Sequence, residues 1–155
     1  MVTVGQIMNS SVRALHPHAT VAEAIEFLTE FHIGGAPVVN DAGELIGMIS
    51  ELALIDVVFQ FDVRFSPIED FLTKDVHAVA PTDSIARAAQ LFALYSFRRL
   101  PVVKKGKLVG IISRRDLMNY MLKSSDVLSD PLVELFPALV PDVAGPCGER
   151  AEEWD

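Results

Sequence analysis

The stretch from Arg98 to Asp116 carries the side chains best suited to holding a ligand. It contains seven basic residues and ends at its one acid, Asp116. Ser113 precedes the predicted start of a helix, where a hydroxyl can accept a hydrogen bond from an unpaired backbone N–H group. A carboxylate on that first turn, with arginines beside it, can bind a polyol next to an anion. The simpler interpretation is that Ser113 and Asp116 only cap the helix.

Two strands and a helix must position these groups. The apolar runs Val102–Val103 and Leu108–Ile112 flank a polar loop that contains Gly106, which is typical of a β-hairpin. The helix is predicted to begin directly after Ser113. The candidate binding groups therefore lie where a hairpin ends and a helix begins.

An internal duplication explains why the same pattern also occurs earlier in the chain. Residues 8–55 align with residues 72–118 after one deletion beside Gly106, and 14 aligned positions are identical. Proline, glycine and serine positions stay in register, which chance similarity between two apolar segments would not preserve. The alignment therefore indicates two copies of one structural unit.

Each copy predicts the element order β-α-β-β-α. An extended piece, Val12–Leu15 or Val76–Val79, ends near a proline. A helix follows, with Thr20 or Ser84 as its N-cap, and then the hairpin and the second helix. Because about 60 residues bury little apolar surface alone, we expect the copies to pack through their sheets about a pseudo-twofold axis.

The predicted domain organisation has three parts. Residues 1–60 form the first repeat, residues 61–125 the second, and residues 126–155 an acidic, proline-containing tail that is predicted to be largely disordered. The join, Val57–Phe71, is rich in phenylalanine, and its rings either cover the shared core or form a patch for self-association.

Composition excludes several classes of protein. The formal net charge is −8, but residues 126–155 hold eight acids and one arginine, so the rest of the chain is nearly neutral and does not repel anions. No apolar run approaches the ~18 residues of a membrane span, and no secretory signal is evident. A single cysteine argues against a multi-cysteine metal site and favours a cytoplasmic location. Neither catalytic motifs nor a nucleic-acid-binding pattern is present.

Four short motifs resemble those of a known family. They are GGAPVV at 34–39, GMIS at 47–50, RRLPVV at 98–103 and GIISRRD at 110–116. With the intervening helices, residues from about 5 to 123 resemble the tandem pair of CBS domains known as the Bateman module. The resemblance implies an α/β (α+β) fold and a non-catalytic regulatory module for an adenosine-type ligand: AMP, ADP, ATP or S-adenosylmethionine, with AMP or ATP favoured. It also implies a homodimer and a regulated protein partner.

The resemblance assigns a main site between the repeats. In the family's motif the aspartate contacts ribose hydroxyls and the serine lies near phosphate; an ionised Asp116 can accept both hydroxyl hydrogen bonds of a diol. Gly34 and Gly35 leave room for a flat base, although they are equally well explained as a simple helix stop. The residues carried over to this site are Arg13, Ala14, Gly34, Gly35, Ala36, Pro37, Arg99, Ile111, Ser113, Arg115 and Asp116.

A second, pseudo-symmetric site departs from the family pattern. Ala53 stands where the ribose-binding aspartate belongs, and Glu51 adds a negative charge. This site is therefore expected to be weak or empty, or to bind a different ligand, and Arg98 and Arg99 can instead reach towards the main site. Its predicted residues are Ser50, Val76, His77, Phe97, Arg98 and Pro101. The alternative function is a ligand-free dimerisation or protein-interaction module.

Overall fold

Five α-helices and four β-strands make up the part of the chain that the computed structural model describes, residues 2–124. The helices are α1 (Val4–Ile7), α2 (Val21–Glu30), α3 (Glu51–Val57), α4 (Ile85–Leu94) and α5 (Arg114–Lys123); the strands are β1 (Gly35–Val39), β2 (Leu45–Ser50), β3 (Arg99–Lys104) and β4 (Lys107–Ser113). Two short 3-10 helices, Phe61–Phe65 and Ile68–Phe71, lie in the join. The predicted acidic tail lies outside the described residues.

Both predicted hairpins are present, and their details repeat. β1 pairs antiparallel with β2, and β3 with β4, each with an irregularity in register at the equivalent place. The second hairpin turns through Lys105 and Gly106, whose φ angles of 52° and 80° are left-handed. This conformation suits glycine, which has no Cβ to clash with the backbone.

The predicted helices are also confirmed, and side-chain caps start them. Thr20 accepts a hydrogen bond from the backbone N–H of Glu23 at 3.1 Å, and the Glu23 carboxylate accepts one from Thr20 at 3.2 Å. Ser84 caps α4 through the backbone N–H of Arg87. The predicted opening strands are shorter than expected, because only Leu15 and Val79 pair, each as a single parallel bridge with the neighbouring hairpin.

The segment that precedes each repeat in the sequence packs into the core of the other repeat. The backbone N–H of Val4 donates to the carbonyl of Asp83 at 2.8 Å, and Val4 is buried with Leu100 and Ile112 in the core of the second repeat. Correspondingly, Ile68 donates to Ala19 at 2.8 Å and is buried in the core of the first repeat. The two copies are thus interlocked, and the proposed boundary at residue 60 remains a prediction.

The phenylalanine-rich join divides between the two predicted roles. Phe71 packs against the core of the first repeat, whereas the side chain of Phe59 is 93% exposed. The hairpin tips also join the repeats, because Leu45 donates to Gly106 at 3.1 Å and Leu108 donates to Gly43 at 3.0 Å. Helices and two small antiparallel sheets therefore form one α+β unit with internal pseudo-symmetry.

Candidate functional site

Two extended segments cross between the repeats and bring the predicted site residues together. In the first, Asn9 exchanges two backbone hydrogen bonds with Ile111 of β4, and Leu15 bonds to Pro37 and Val39 of β1. In the second, Thr73 exchanges two bonds with Met48 of β2, and Val79 bonds to Pro101 and Val103 of β3. Each crossing segment therefore spans from the motif strand of one repeat to the first hairpin strand of the other.

Two adjoining cavities lie beside the second crossing segment. The inner cavity, of about 240 Å³, is lined by Gly35, Met48, Ile49, Ser50, Thr73, Asp75, Val76, His77, Phe97, Arg99, Leu100 and Pro101. The outer cavity, of about 370 Å³, is lined by Gly34, Gly35, Met48, Ser50, Glu51, Leu52, Ser96, Phe97, Arg98 and Arg99. We call the two together the Ser50 cleft. All six residues predicted for the second site line it, and their role in binding remains a prediction.

Aromatic rings form one wall of the Ser50 cleft. The rings of His77 and Tyr95 stack with centroids 4.4 Å apart and an interplanar angle of 27°. Those of Tyr95 and Phe97 stack at 5.2 Å and 27°. Tyr95 itself lines neither cavity, so it supports the two rings that do. The resulting wall is aromatic and largely apolar, which suits a ligand with a ring.

Charges of both signs line the outer cavity. A Cβ atom placed on Gly34 would lie 3.3 Å from the Glu51 carboxylate and 3.7 Å from the Arg98 guanidinium, so both groups converge on this glycine. Arg99, which was assigned to the main site from the sequence, lines both cavities of the Ser50 cleft. Arg98 and Arg99 therefore lie beside the repeat-one motif.

The main site remains a prediction, and the pseudo-twofold relation between the repeats indicates which residues would form it. We call this predicted region the Asp116 cleft. The equivalents of the Ser50 cleft residues are Asn9, Ser11, Val12, Arg13, His32, Ile33, Gly34, Gly35, Ala36, Pro37, Arg98, Arg99, Ile111, Ile112, Ser113, Arg114 and Arg115. Asp116 lies on the same first turn of α5 as Arg114 and Arg115. The first crossing segment holds Arg13 and Ala14 between Ile111 and Pro37. Among residues 2–124, the side chains of Arg13, Ser113 and Asp116 line neither cavity of the Ser50 cleft.

The first turn of α5 arranges the polar groups of the Asp116 cleft. Ser113 Oγ accepts a hydrogen bond from the Asp116 backbone at 3.1 Å, and Asp116 Oδ2 accepts one from the Ser113 backbone at 2.8 Å. The predicted helix cap is thus present. It uses one carboxylate oxygen, and Oδ1 accepts no hydrogen bond from the described residues, so capping leaves an acceptor for a ligand hydroxyl.

In the Asp116 cleft, a cation–aromatic pair occupies the positions that correspond to the aromatic wall of the Ser50 cleft. The guanidinium carbon of Arg13 lies 3.7 Å from the ring centroid of Phe31, and the pseudo-equivalent pair in the other cleft is His77 with Tyr95. A guanidinium held over a ring remains available to phosphate through its N–H groups. Arg13 is exposed, as that role requires.

Sequence reasoning missed the polar residues at the start of each crossing segment. Thr73 and Asp75 line the inner cavity, and Asn9 and Ser11 are their equivalents. The sequence did contain a signal for these residues, because the two equivalent positions shortly before each extended piece are polar in both repeats. Their importance depends on pairing with the opposite repeat, which the local pattern does not reveal.

Two further observations on residues 2–124 concern metal binding and membrane insertion. No group of three or more His, Cys, Asp or Glu side chains in this part of the chain is placed to hold a metal ion. Over the same residues, no helix has both the length and the apolar character that crossing a membrane demands.

Comparison with known proteins identifies the family. The model of the CBS domain matches the chain twice, at residues 4–60 and 68–123. The chain is a pair of CBS domains. The resemblance inferred from the PVV and GhhS motifs is thereby confirmed.

Relatives of this CBS pair differ in length. It is 38% identical over 122 residues to an uncharacterized protein of Methanocaldococcus jannaschii, and the matched region covers 76% of this chain and 42% of that protein. It is 31% identical over 128 residues to the CBS domain-containing protein YhcV of Bacillus subtilis, covering 81% of this chain and 90% of YhcV. The chain thus spans less than half of the first relative and most of the second.

A solved structure confirms the fold. The crystal structure of CBSX2 in complex with AMP matches the CBS pair with a TM-score of 0.73 and 29% identity, covering 79% of this chain and 98% of that chain. CBSX2 is from Arabidopsis thaliana. A CBS pair of the same fold therefore binds AMP, and the α+β architecture of two CBS repeats expected from the sequence is confirmed.

Proposed function

We propose that this CBS pair is a non-catalytic regulatory module that binds an adenosine-type ligand, AMP or ATP foremost, in the Asp116 cleft. The observation that carries the proposal is the first turn of α5, where the Asp116 carboxylate is held in place by its cap and keeps Oδ1 for a diol. Arg13, Arg114 and Arg115 supply cations for phosphate near this turn. The AMP complex of CBSX2 supports the same ligand class.

Regulation follows from how the cleft is built. The first crossing segment is hydrogen-bonded to β4 of one repeat and to β1 of the other. A ligand that contacts this segment and α5 together binds most tightly to one relative placement of the repeats. Its binding therefore shifts the population towards that placement and changes affinity for a regulated protein partner. In a cell, such a module would report adenine-nucleotide levels, and the single cysteine is consistent with our proposal of a cytoplasmic location.

Thermal unfolding in the presence of AMP, ADP, ATP and S-adenosylmethionine tests the proposed ligand class. A ligand at 100 times its dissociation constant raises the free energy of unfolding by about 2.7 kcal/mol and shifts the midpoint by several degrees. We expect such a shift with AMP or ATP and none with inorganic phosphate at the same concentration. Unchanged midpoints with all four ligands would contradict the proposal.

An exposed apolar surface on the helices favours a homodimer. Ile55 and Phe59 are 57% and 93% exposed on and just after α3, and their pseudo-equivalents, Met118 and Leu122 of α5, are 56% and 86% exposed. Met118 and Leu122 are four apart and lie on one face of α5, and Ile55 and Phe59 hold the equivalent positions on α3 and just after its end at Val57. Each repeat therefore presents two exposed apolar side chains at matching positions, which we call its apolar stripe. A groove of about 430 Å³ between α2 and α3 adjoins the first stripe. This surface also suits the second candidate function, a ligand-free interaction module.

Substituting both stripes is expected to separate the dimer. The double variant Phe59→Glu with Leu122→Glu places charges where the apolar faces meet, and we expect sedimentation velocity to show a monomer where the unmodified protein shows a dimer. A matched control, Glu26→Gln with Glu30→Gln, changes two exposed charges of α2 and should leave the dimer intact. A double variant that remains dimeric would contradict this assignment of the interface.

A further inference from the structure

The main helices of the two repeats carry charges of opposite sign. In the first repeat, α2 and α3 hold five acids and no base, whereas in the second repeat α4 and α5 hold four bases and one acid. The five acids and the four bases are all exposed. The acids are Glu23, Glu26, Glu30, Glu51 and Asp56, and the bases are Arg87, Arg114, Arg115 and Lys123. One chain therefore presents an acidic pair of helices and a basic pair.

The reversal of charge occurs at equivalent positions of the duplicated unit. Glu23 of α2 aligns with Arg87 of α4, and Glu51 of α3 aligns with Arg114 of α5. The buried side chains of both helix pairs are apolar. The two repeats thus keep the same packing towards their cores and differ in the charge of their exposed surfaces.

These charges border the apolar surface that was assigned to the homodimer. Asp56 lies in the sequence between the two residues of the first stripe, and Lys123 directly follows Leu122 of the second. Glu30 directly follows Thr29, which lines the groove of about 430 Å³ between α2 and α3. A partner that covers either stripe therefore also meets the charges beside it.

A dimer with a twofold axis can join these surfaces in two ways. In one, each repeat meets the same repeat of the partner, which places acids against acids and bases against bases. In the other, the first repeat of each copy meets the second repeat of the other, so acids face bases at both contacts. A single exposed ion pair contributes little to affinity. The orientation, however, depends on the difference between the two arrangements, and facing like charges disfavour the first.

We infer that two copies of this chain associate with the first repeat of each copy against the second repeat of the other. The inference rests on the homodimer described under the proposed function and adds its orientation. The apolar stripes provide the contact area, and the acidic and basic helices select between two orientations that bury the same apolar surface.

Cross-linking between single cysteines tests the orientation in the full-length chain. Cys147→Ser removes the one native cysteine. Gln60→Cys and Asn119→Cys then each place a thiol at an exposed, uncharged position next to one stripe. The two proteins, one labelled with heavy nitrogen, are mixed, allowed to exchange subunits and treated with a short bismaleimide. We expect mass spectrometry to show mixed cross-linked dimers at least about tenfold more abundant than self-linked dimers of either protein.

The dependence of dimerisation on ionic strength gives a measurement without cysteine substitutions. Raising the salt concentration from about 0.01 M to about 1 M shortens the Debye length from about 30 Å to about 3 Å. We expect the dimer dissociation constant, measured by sedimentation velocity, to rise about tenfold, because the attraction between opposite charges is screened. Glu26→Gln with Glu30→Gln should retain the dimer and reduce this dependence on salt.

The outcomes separate the orientation from the homodimer on which it rests. Self-linked dimers, or a dissociation constant that falls as salt is added, would overturn the orientation and leave the homodimer standing. A monomer at every salt concentration would overturn both. If that monomer, with native Cys147 restored, also forms a cross-link within one chain between Asn119→Cys and Cys147, the acidic residues 126–155 cover the basic helices in place of a second copy.

Discussion

Asp116→Ala is expected to weaken binding of AMP or ATP at the Asp116 cleft by roughly ten- to 150-fold, because hydrogen bonds to a charged acceptor contribute about 1.5–3 kcal/mol. Capping fixes the carboxylate through Oδ2 at 2.8 Å from the Ser113 nitrogen and leaves Oδ1 for the ligand. The measurement is isothermal titration calorimetry with each nucleotide, resolving the affinity of the tighter site from that of the weaker one.

A structural effect must be separated from loss of the ligand contact, since Asp116→Ala also removes a helix-capping bond. Glu23→Ala is the matched control, because Glu23 makes the same reciprocal bond to Thr20 at the start of α2. Both variants are expected to lose about 1 kcal/mol of stability, and only Asp116→Ala should lose nucleotide affinity. Equal nucleotide affinity in both variants would reject Asp116 as a ligand contact.

Ile112→Ala is expected to lower the free energy of unfolding by about 3 kcal/mol, within the 2–5 kcal/mol typical of such core truncations. The Ile112 side chain is fully buried, with a relative exposure of 0%, in the core that β3, β4, α4 and the exchanged α1 share. Removing three carbons there leaves a cavity that the interlocked segments cannot fill. Urea unfolding followed by circular dichroism measures the change.

Comparison with the other repeat tests the interlocking itself. Ile49→Ala, in the pseudo-equivalent position and also 0% exposed, should lower stability by a similar amount and shift the same single transition. Leu94→Ala, at a 74% exposed site on α4, is the control and should change stability by less than about 0.5 kcal/mol. Two separate unfolding transitions in the Ile112 variant would show that the repeats unfold independently, contrary to the exchange of α1 and the join.

Local pattern was enough to predict most of the elements. The cap residues Thr20, Ser84 and Ser113 begin helices, and Gly106 lies in the predicted turn with a positive φ. These features depend on neighbours a few residues apart, where propensity and hydrogen bonding act directly on the sequence. The helix α1 escaped prediction because four residues carry almost no periodic signal, and its burial depends on the second repeat.

The duplication was equally readable, and with it the two-cleft plan. Matching positions in the two copies identified Ser50 with Ser113 and Ala53 with Asp116 without any coordinates. Because those residues occupy corresponding turns of corresponding helices, the contrast between a carboxylate and a methyl group follows from the sequence alone.

Only the tertiary structure decided which residues from distant parts of the chain share a cleft. Thr73 and Asp75 reach the inner cavity because the second crossing segment pairs with β2 of the opposite repeat, and Arg99 lies in the Ser50 cleft although its sequence motif resembles that of a main-site strand. Likewise, Val4 and Ile68 exchange between cores. Pairing between segments that are distant in the chain depends on how apolar surfaces fit together in space, and the periodicity of one segment carries no information about that fit.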